Sequence, residues 1–504
     1  MSGEENPAIL NFLFLIISTQ SSSMAESLKE KTAKGLFWSG INNGAMQLLN
    51  LIFGIVTSRI LNDTDYGMIG MLSIFSLIAA SLQESGFTSA LANKKEIRHE
   101  DYNAVFWFSS AISVTLYLIL FFCAPLIADF YDNENLIPLA RYAFLGFVIS
   151  SLGISQNAYL FRNLMVKQKT IASISGLAVS GIVGIIMACL GCSYWSIATQ
   201  SIVYISVLNI CLWSFSPWRP TLKFSFKPLK GMVNFSAKLM ITNIFNHINN
   251  NLFSIILGKY YSEKEVGQFN QANKWNYMGH SFISSMVGSV AQPMFNQVGS
   301  DQTRQQRVFR KMLRFTAFIA FPSMLGLSFI APELITITIT AKWLPSAHIL
   351  QILAIGGAFI PITALYSNLI ISKGKSNIFM WNTITLGILQ LIAMLILSPY
   401  GLKNMLTVYV AINIGWLFVW HYFVFREIKL SLWAALKDVV PYAGIALLAI
   451  AAAYFITGHI TDIYLLILTK ITVTAILYGG LMWICGSETF KESLSYLLKK
   501  TRKK

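Results

Sequence analysis

The amino-acid sequence predicts an all-α membrane protein of about fourteen transmembrane helices, built as two parallel repeats of about six helices with two extra helices after them. Three observations predict it. The 504-residue chain is 55% hydrophobic and only 12% charged, whereas a soluble chain carries about 25% charged residues. Apolar runs near the ~20 residues needed to cross a bilayer recur along the whole length, without the alternating ~10-residue segments of a membrane barrel. A short pattern also occurs twice, about 200 positions apart.

Arg59-Ile-Leu-Asn-Asp63-Thr-Asp65-Tyr-Gly67 and Lys259-Tyr-Tyr-Ser-Glu263-Lys-Glu265-Val-Gly267 share base, acid, acid and glycine at one spacing. Each copy closes a long apolar helix. Ala124-Pro125 with Pro138 and Ala140 echoes Ala331-Pro332 with Pro345 and Ala347, and Gly191 echoes Gly401. The offsets grow slowly and in order, as two copies of one unit would after gaining loop residues. Duplicated units of this kind build the two halves of many transporters.

The first repeat comprises spans at about 35–61, 66–90, 103–128, 139–160, 170–190 and 194–215. The second comprises about 232–257, 268–296, 312–331, 346–371, 377–398 and 404–424. Spans at about 438–457 and 464–485 have no partner and form an appendage. The expected domains are an N-terminal cytoplasmic segment 1–34, a first lobe 35–215, a cytoplasmic linker 216–231 with Trp218-Arg219-Pro220, a second lobe 232–424, the extra pair within 425–485 and a basic tail 486–504. Residues 9–17 are apolar but too short to span. No Lys or Arg precedes them, as a signal peptide would require, so translation is expected to start at Met24.

The net charge of +16 reports topology, not nucleic acid. Lys and Arg fall in alternate loops; the exceptions among the 38 are Arg59, Arg141, Lys238, Lys259, Lys264, Lys274, Lys342, Lys403 and Lys470. This alternation is the positive-inside rule. It puts both termini in the cytoplasm and basic loops against anionic lipid headgroups. Cys189 and Cys192 lack a second pair or a nearby His for a zinc site, and the five cysteines read as small apolar fillers. No P-loop, HExxH motif or catalytic constellation occurs, so neither a nucleotide site nor a cofactor is expected.

The seventh span is the richest in polar groups. Asn243, Asn246, His247 and Asn250 share one helical face. Asn43, Gln47 and Asn50 of the first span are the equivalents of Asn243, His247 and Asn250. Such groups are costly against lipid tails and should face protein or water. Matched stripes on equivalent helices predict two walls of one cavity; the alternative is hydrogen-bonded packing between helices. The eighth span adds Asn270, Lys274, Tyr277, Ser281 and Ser284 along one face, with His280 beside it. Lys238 and Lys274 either charge the cavity or snorkel to the interface. Arg141 and Lys470 are expected to anchor at the interface. Arg59 projects away from Asn43 and Asn50, so an outer-end ion pair or turn device is expected, as for Lys259. Glu84, near the inner end of the second span, is a candidate for gating or coupling, and so are Arg59 and Arg141 if they are not held in those anchoring roles. Trp343 and Trp195 fit an interfacial aromatic belt.

These pieces resemble bacterial polysaccharide exporters and oligosaccharide-lipid flippases of the multidrug/oligosaccharidyl-lipid/polysaccharide exporter superfamily. The matching segments are Gly35-Leu-Phe-Trp38-Ser, Ser58-Arg59-Ile-Leu with Asp65-Tyr66-Gly67, Glu84-Ser-Gly86-Phe87, Val105-Phe106-Trp107, Ala124-Pro125-Leu-Ile-Ala128 with Phe130-Tyr131, Trp218-Arg219-Pro220, Gly258-Lys259, Gly267-Gln-Phe269-Asn270 and Trp343. Phe269 stands where the family usually has Tyr, and Glu84 where it usually has Asp. The resemblance implies a V-shaped pair of six-helix lobes in the bacterial inner membrane. It also implies alternating access that moves an undecaprenyl-diphosphate-linked oligosaccharide across the bilayer. A cation-coupled drug exporter of the same superfamily is the alternative; it would want a carboxylate in the central parts of spans 1, 7 and 8, which carry none. A membrane glycosyltransferase or polymerase would need an acidic catalytic loop, and the outer loops are very short.

Reporter fusions test the topology. Fusions after Lys230 and Lys375 should report the cytoplasmic side, and fusions at Lys264 and Lys403 the outer side. The reverse pattern would overturn both the orientation and the pairing of the repeats.

Overall fold

The computed structural model describes residues 38, 40–84, 91, 97–222, 233–298, 301–492 and 495. The segment with Met24, most of the linker and the end of the basic tail lie outside the described residues. Every regular element among them is helical. In chain order these are α1 (residues 40–60), α2 (Asp63–Glu84), α3 (His99–Tyr131), α4 (Leu136–Ser151), α5 (Ile154–Arg162), α6 (Val166–Cys189), α7 (Trp195–Phe215) and α8 (Val233–Tyr260). There follow α9 (Glu263–Val298), α10 (Gln302–Ile339), α11 (Leu344–Gly357), α12 (Ile360–Ser372), α13 (Ser376–Leu397), α14 (Leu402–Ile428), α15 (Leu432–Thr457) and α16 (Ile463–Ile484).

Ten spans among the described residues are long and apolar enough to cross a membrane, and eleven if α4 and α5, bent by 43°, count as one. The expected spans outside this set are α1, α8 and α9. They are also the helices that carry the polar stripes, so the same side chains that suggest a site lower their apolarity. The fourth span of each copy is interrupted at an equivalent place, between α4 and α5 and between α11 and α12. Non-helical backbone at membrane depth needs partners from neighbouring helices. In the first break the Asn209 amide donates to the Ile149 carbonyl and the Trp213 indole donates to the Leu152 carbonyl at 2.7 Å. The Gly191 and Gly401 echo also has a physical basis. Both residues turn the chain with positive φ, 79° and 90°, just before α7 and α14, a conformation that favours glycine.

The described residues pack as two units. The first holds those of 1–60, 75–129 and 133–244. Its α6 and α7 lie side by side, with α4 and α5 against α7. Near the start of α3, Leu91, Tyr102, Val105, Phe106, Ala158 and Trp218 form a buried cluster. Trp218 packs on His99, Tyr102 and Phe106 at ring separations of 5.6, 5.9 and 6.0 Å. Thr221 donates its N–H to Asn103 Oδ1 at 2.9 Å and accepts from the Trp107 indole at 2.8 Å. The separated motifs Val105-Phe106-Trp107 and Trp218-Arg219-Pro220 therefore form one structural knot.

The second unit holds 61–74, 130–132 and 245–504. Here the two copies of the repeated pattern meet. Asp65 Oδ2 accepts from the Asn62 N–H at 2.8 Å, and Ser262 Oγ bonds the Glu265 carboxylate. Each acid, three residues into its helix start, thus reaches back to the capping residue, as in a capping box. The first turns of α2 and α9 then cross reciprocally. A Cβ on Gly67 would stand 1.7 Å from the Glu263 carbonyl oxygen, and one on Gly267 1.8 Å from that of Asp63. Gln268 donates to Asp63 at 2.9 Å. Lys342 donates to the Leu61 carbonyl at 2.7 Å, and Trp343 meets Tyr66 edge-on at 5.4 Å. Trp343 is fully buried, which corrects its assignment to an interfacial belt. The base and first acid of one copy do not pair with each other as an outer-end ion pair would require: Lys259 instead pairs with Asp132 at 3.3 Å and lies over the Phe130 ring.

The last two helices are bolted to α10. Arg310 forms a two-pronged pair with Asp438 of α15, at 2.6 and 3.0 Å, and Arg314 approaches the same carboxylate. Lys470 of α16 pairs with Glu333 at 2.7 Å and lies 4.4 Å from the Phe329 ring centre. Both side chains are nearly buried, at 11% and 12% exposure. This overturns the expectation of a snorkelling Lys470. The acid that holds it lies in a helix that continues past the expected end of its span, to Ile339.

Gly67→Ala and Gly267→Ala should each lower the thermal unfolding midpoint of the detergent-solubilised protein, with a cost of about 1–3 kcal/mol for forcing the crossing apart. Gly44→Ala, whose Cβ would meet nothing within 4 Å, should leave it unchanged or raise it. Equal melting of all three variants and the wild type would remove the crossing as a constraint.

Candidate functional site

The polar stripe of α1 is open. Asn43, Gln47 and Asn50 are all exposed. So are Ile41, Leu48 and Ile52, which project about 140–180° from Asn43 at ~100° per residue. One helix therefore exposes an amide face and an apolar face on opposite sides. The apolar face suits lipid. The amide face is stable only where water or a polar ligand can reach it, because unsatisfied amides in hydrocarbon cost several kcal/mol each, roughly 2–7. Among the described residues no neighbouring helix covers these three side chains.

In α8, His247 is half-buried. The side chains of Lys238, Asn243, Asn246 and Asn250 lie outside the described residues, as does that of Glu84. Two amides that the stripe did not include have structural work. Asn249 donates to the Thr383 carbonyl at 2.9 Å, and Asn251 donates to the His247 carbonyl at 3.0 Å while accepting from Ser73 at 3.4 Å. The second copy thus mixes packing amides with its predicted stripe.

Along α9 the predicted face divides. Asn270 accepts from Ser254 Oγ at 2.8 Å, with its amide nitrogen against Gly70, and so belongs to the helix crossing. Lys274 is half-buried and has no ion-pair or hydrogen-bond partner among the described residues. Tyr277 is exposed, its ring edge-on to His280 at 5.5 Å. Asn276 Oδ1, His280 Nδ1 and Ser284 Oγ are buried without partners among the described residues. Asn276 was not foreseen, because it sits off the stripe and nothing in its spacing distinguishes it from packing glue. Arg141 stacks on Phe121, its guanidinium 4.3 Å from the ring centre, and donates to the Phe121 carbonyl at 3.4 Å; both contacts lie within the first unit. Arg59 is exposed at the end of α1.

Fold and side chains together define a multi-pass helical membrane protein with an uncharged, hydrogen-bonding face on its first helix. Comparison with known proteins assigns it. Residues 56–348 match the family described as polysaccharide biosynthesis protein, more than half of the chain, and the chain belongs to that family. It is similar to the lipopolysaccharide biosynthesis protein WzxC of Escherichia coli K12, 24% identical over 70% of this chain and 72% of that protein. It is also similar to the teichuronic acid biosynthesis protein TuaB of Bacillus subtilis 168, 22% identical over 84% and 89% of the two chains. Among solved structures, the inward closed lipid II flippase MurJ superposes with a TM-score of 0.72, 16% identity and coverage of 89% and 99%. That likeness shows a shared fold.

Single cysteines at Asn43, Gln47 and Asn50 in a cysteine-free background should react with a membrane-permeant, water-requiring thiol reagent, whereas a cysteine at Leu48 should be inert. Equal inertness at all four positions would favour packing between helices over a water-lined face.

Proposed function

We propose that this protein flips a lipid-linked oligosaccharide, carried on undecaprenyl diphosphate, from the inner to the outer leaflet of the bacterial inner membrane by alternating access, for surface polysaccharide synthesis. It is a transporter and not an enzyme. The observation that carries this reading is the open, uncharged amide face of α1 on a chain of the polysaccharide biosynthesis family. Relatives described as lipopolysaccharide and teichuronic acid biosynthesis proteins and as a succinoglycan biosynthesis transport protein support the substrate class.

The chemistry follows from the substrate. A glycan headgroup carries many hydroxyls and must leave water without entering hydrocarbon. Asn43, Gln47, Asn50, Asn243, Asn246, His247 and Asn250 would exchange hydrogen bonds with those hydroxyls, each worth only about 0.5–1.5 kcal/mol net. Individually weak contacts let a large headgroup pass without becoming trapped. The lipid tail stays in the bilayer. Lys238 and Lys274 would supply positive potential for the diphosphate, with Tyr277 beside Lys274. An unpaired half-buried ammonium is costly in a membrane, and an anionic ligand offsets that cost. Glu84, Arg59 and Arg141 are the groups we assign to gating or coupling. The termini are assigned to the cytoplasm by the loop charges. α1 and α8 contain no Asp or Glu, and those of α9 stand in its first turn, which disfavours cation coupling through these helices.

The test is glycan-lipid translocation in reconstituted vesicles, normalised to inserted protein. Lys238→Gln and Lys274→Gln should each slow transport by about tenfold or more, the effect of losing roughly 1.4 kcal/mol of charge-assisted contact. Lys274→Arg should be milder, since it keeps the charge but holds phosphate with a planar fork. Wild-type rates in both Gln variants would remove the lysines from the mechanism; no translocation by the wild type would overturn the function.

A further inference from the structure

Within the second unit, α8, α11, α12, α13 and α14 enclose a cavity of 370 Å³, inside the range of about 300–1,000 Å³ typical of small-molecule pockets. It is a separate feature from the amide face of α1, and none of its residues was singled out in the sequence. Its lining combines amides, Asn249, Asn382, Gln390 and Asn413, with the aromatic rings of Trp416 and Trp420. No charged side chain lines it among the described residues. That composition offers a buried ion no counter-charge.

The hydrogen bonds on its walls are unevenly satisfied. The amide nitrogens of Asn382 and Asn413 donate to the Ile378 and Tyr409 carbonyls of their own helices, both at 2.9 Å. That leaves oxygens as the free partners. Asn382 is 5% exposed, and its Oδ1 has no hydrogen-bond partner among the described residues. The Trp416 Nε1–H is likewise buried with no partner. One orphaned acceptor and one orphaned donor on residues that line the same cavity need explanation, because buried polar groups are otherwise almost always paired. Both atoms are closed to water here; once the two side chains turn toward the cavity, a ligand hydroxyl serves both roles, donating to an amide oxygen and accepting from an indole N–H. Flat aromatic rings beside such groups suit a ligand with an apolar face and a polar rim. A neutral pyranose ring has this chemistry, with C–H groups on its faces and hydroxyls around its edge.

We propose that this cavity is a binding site for a single neutral pyranose residue. The site goes beyond the transport reading given above, and it is tested by equilibrium binding, so its failure leaves translocation untouched.

The experiment uses the full-length protein in lipid nanodiscs, free of sugar-headed detergent. Saturation-transfer NMR is recorded against the methyl glycosides of glucose, galactose, mannose and N-acetylglucosamine in choline chloride. At least one glycoside should receive saturation. Asn382→Leu, which keeps the side-chain size and removes the acceptor, and Trp416→Phe, which keeps a ring and removes the donor, should each weaken its binding about fivefold or more, as loss of one hydrogen bond does. Trp416→Phe decides the matter if Asn382→Leu does not fold. Absence of transfer to every glycoside in the wild type overturns the proposal. So does binding unchanged in the folded variants, or transfer abolished when sodium replaces choline, which would mark a cation site.

Discussion

The first turns of α2 and α9 approach so closely that no side chain fits between them. Gly67 and Gly267 each lie against the backbone carbonyl of the other helix's first residue, and much else in the second unit is arranged around that contact. The capping acids Asp65 and Glu265 fix where each helix begins, so the glycines arrive at the crossing in register. Lys342 and Trp343 close over the neighbouring turn at Leu61 and Tyr66, and Lys259 reaches Asp132 beside it. Helix association in a bilayer gains little from hydrophobicity and relies on close packing of small residues. A crossing that brings backbone onto backbone is therefore a strong way to hold two long helices together at their ends.

A second constraint concerns charge. Charged groups in a membrane-spanning helix must be paired or face water. The long α10 meets this by pairing outward to both terminal helices, through Arg310 and Arg314 to Asp438 and through Glu333 to Lys470. Breaking either pair would leave an uncompensated charge, and such losses are larger than the net stability that the intact pair contributes. The arrangement explains why α15 and α16, which have no counterpart in the repeat, stay attached. Their specificity comes from matched charges at two depths along α10, and their apolar surfaces supply contact without choosing a partner.

The sequence made the helical class and the near positions of most spans legible, because both follow from apolar length and spacing. It also made the pattern around Gly67 and Gly267 visible, but not its purpose. The spacing suggested a base bonded to its own acid, whereas the structure uses one acid of each copy as a cap and turns Lys259 to Asp132. Lys470 misled for a related reason: a lysine in an unpaired span reads as a snorkeller unless its partner is seen, and Glu333 belongs to a helix distant in sequence. Trp343 looked interfacial because it stands at a span end, yet its ring fills the space beneath the crossing. For the candidate site, the α1 stripe was readable from periodicity alone. The division of α9 into a packing residue, Asn270, and an unpaired Lys274 was not, since both lie on one face and differ only in what the neighbouring helices present. The cavity lined by Asn382 and Trp416 was invisible, because its residues come from five helices and none is polar enough in its own span to stand out.

The two faces of α1 bear directly on how a polar cargo could cross. A helix buried in protein on one side and lipid on the other would need only one exposed face. This one exposes apolar residues to one side and amides to the opposite side. The amides are neutral, so they do not attract counter-ions strongly and do not hold a ligand through long-range fields. They exchange one hydrogen bond for another at small net cost. In the proposed mechanism the lysine on α9 would be of a different kind: a charge unpaired among the described residues, in a weakly polar environment, would interact strongly with an anion, because the local dielectric is low. Under that proposal, weak distributed contacts for a long neutral part and one strong contact for a compact anionic part would divide the labour. The strong contact can fix position, while the weak ones allow passage. A surface rich in charge would invert that balance and retain the cargo it had to release.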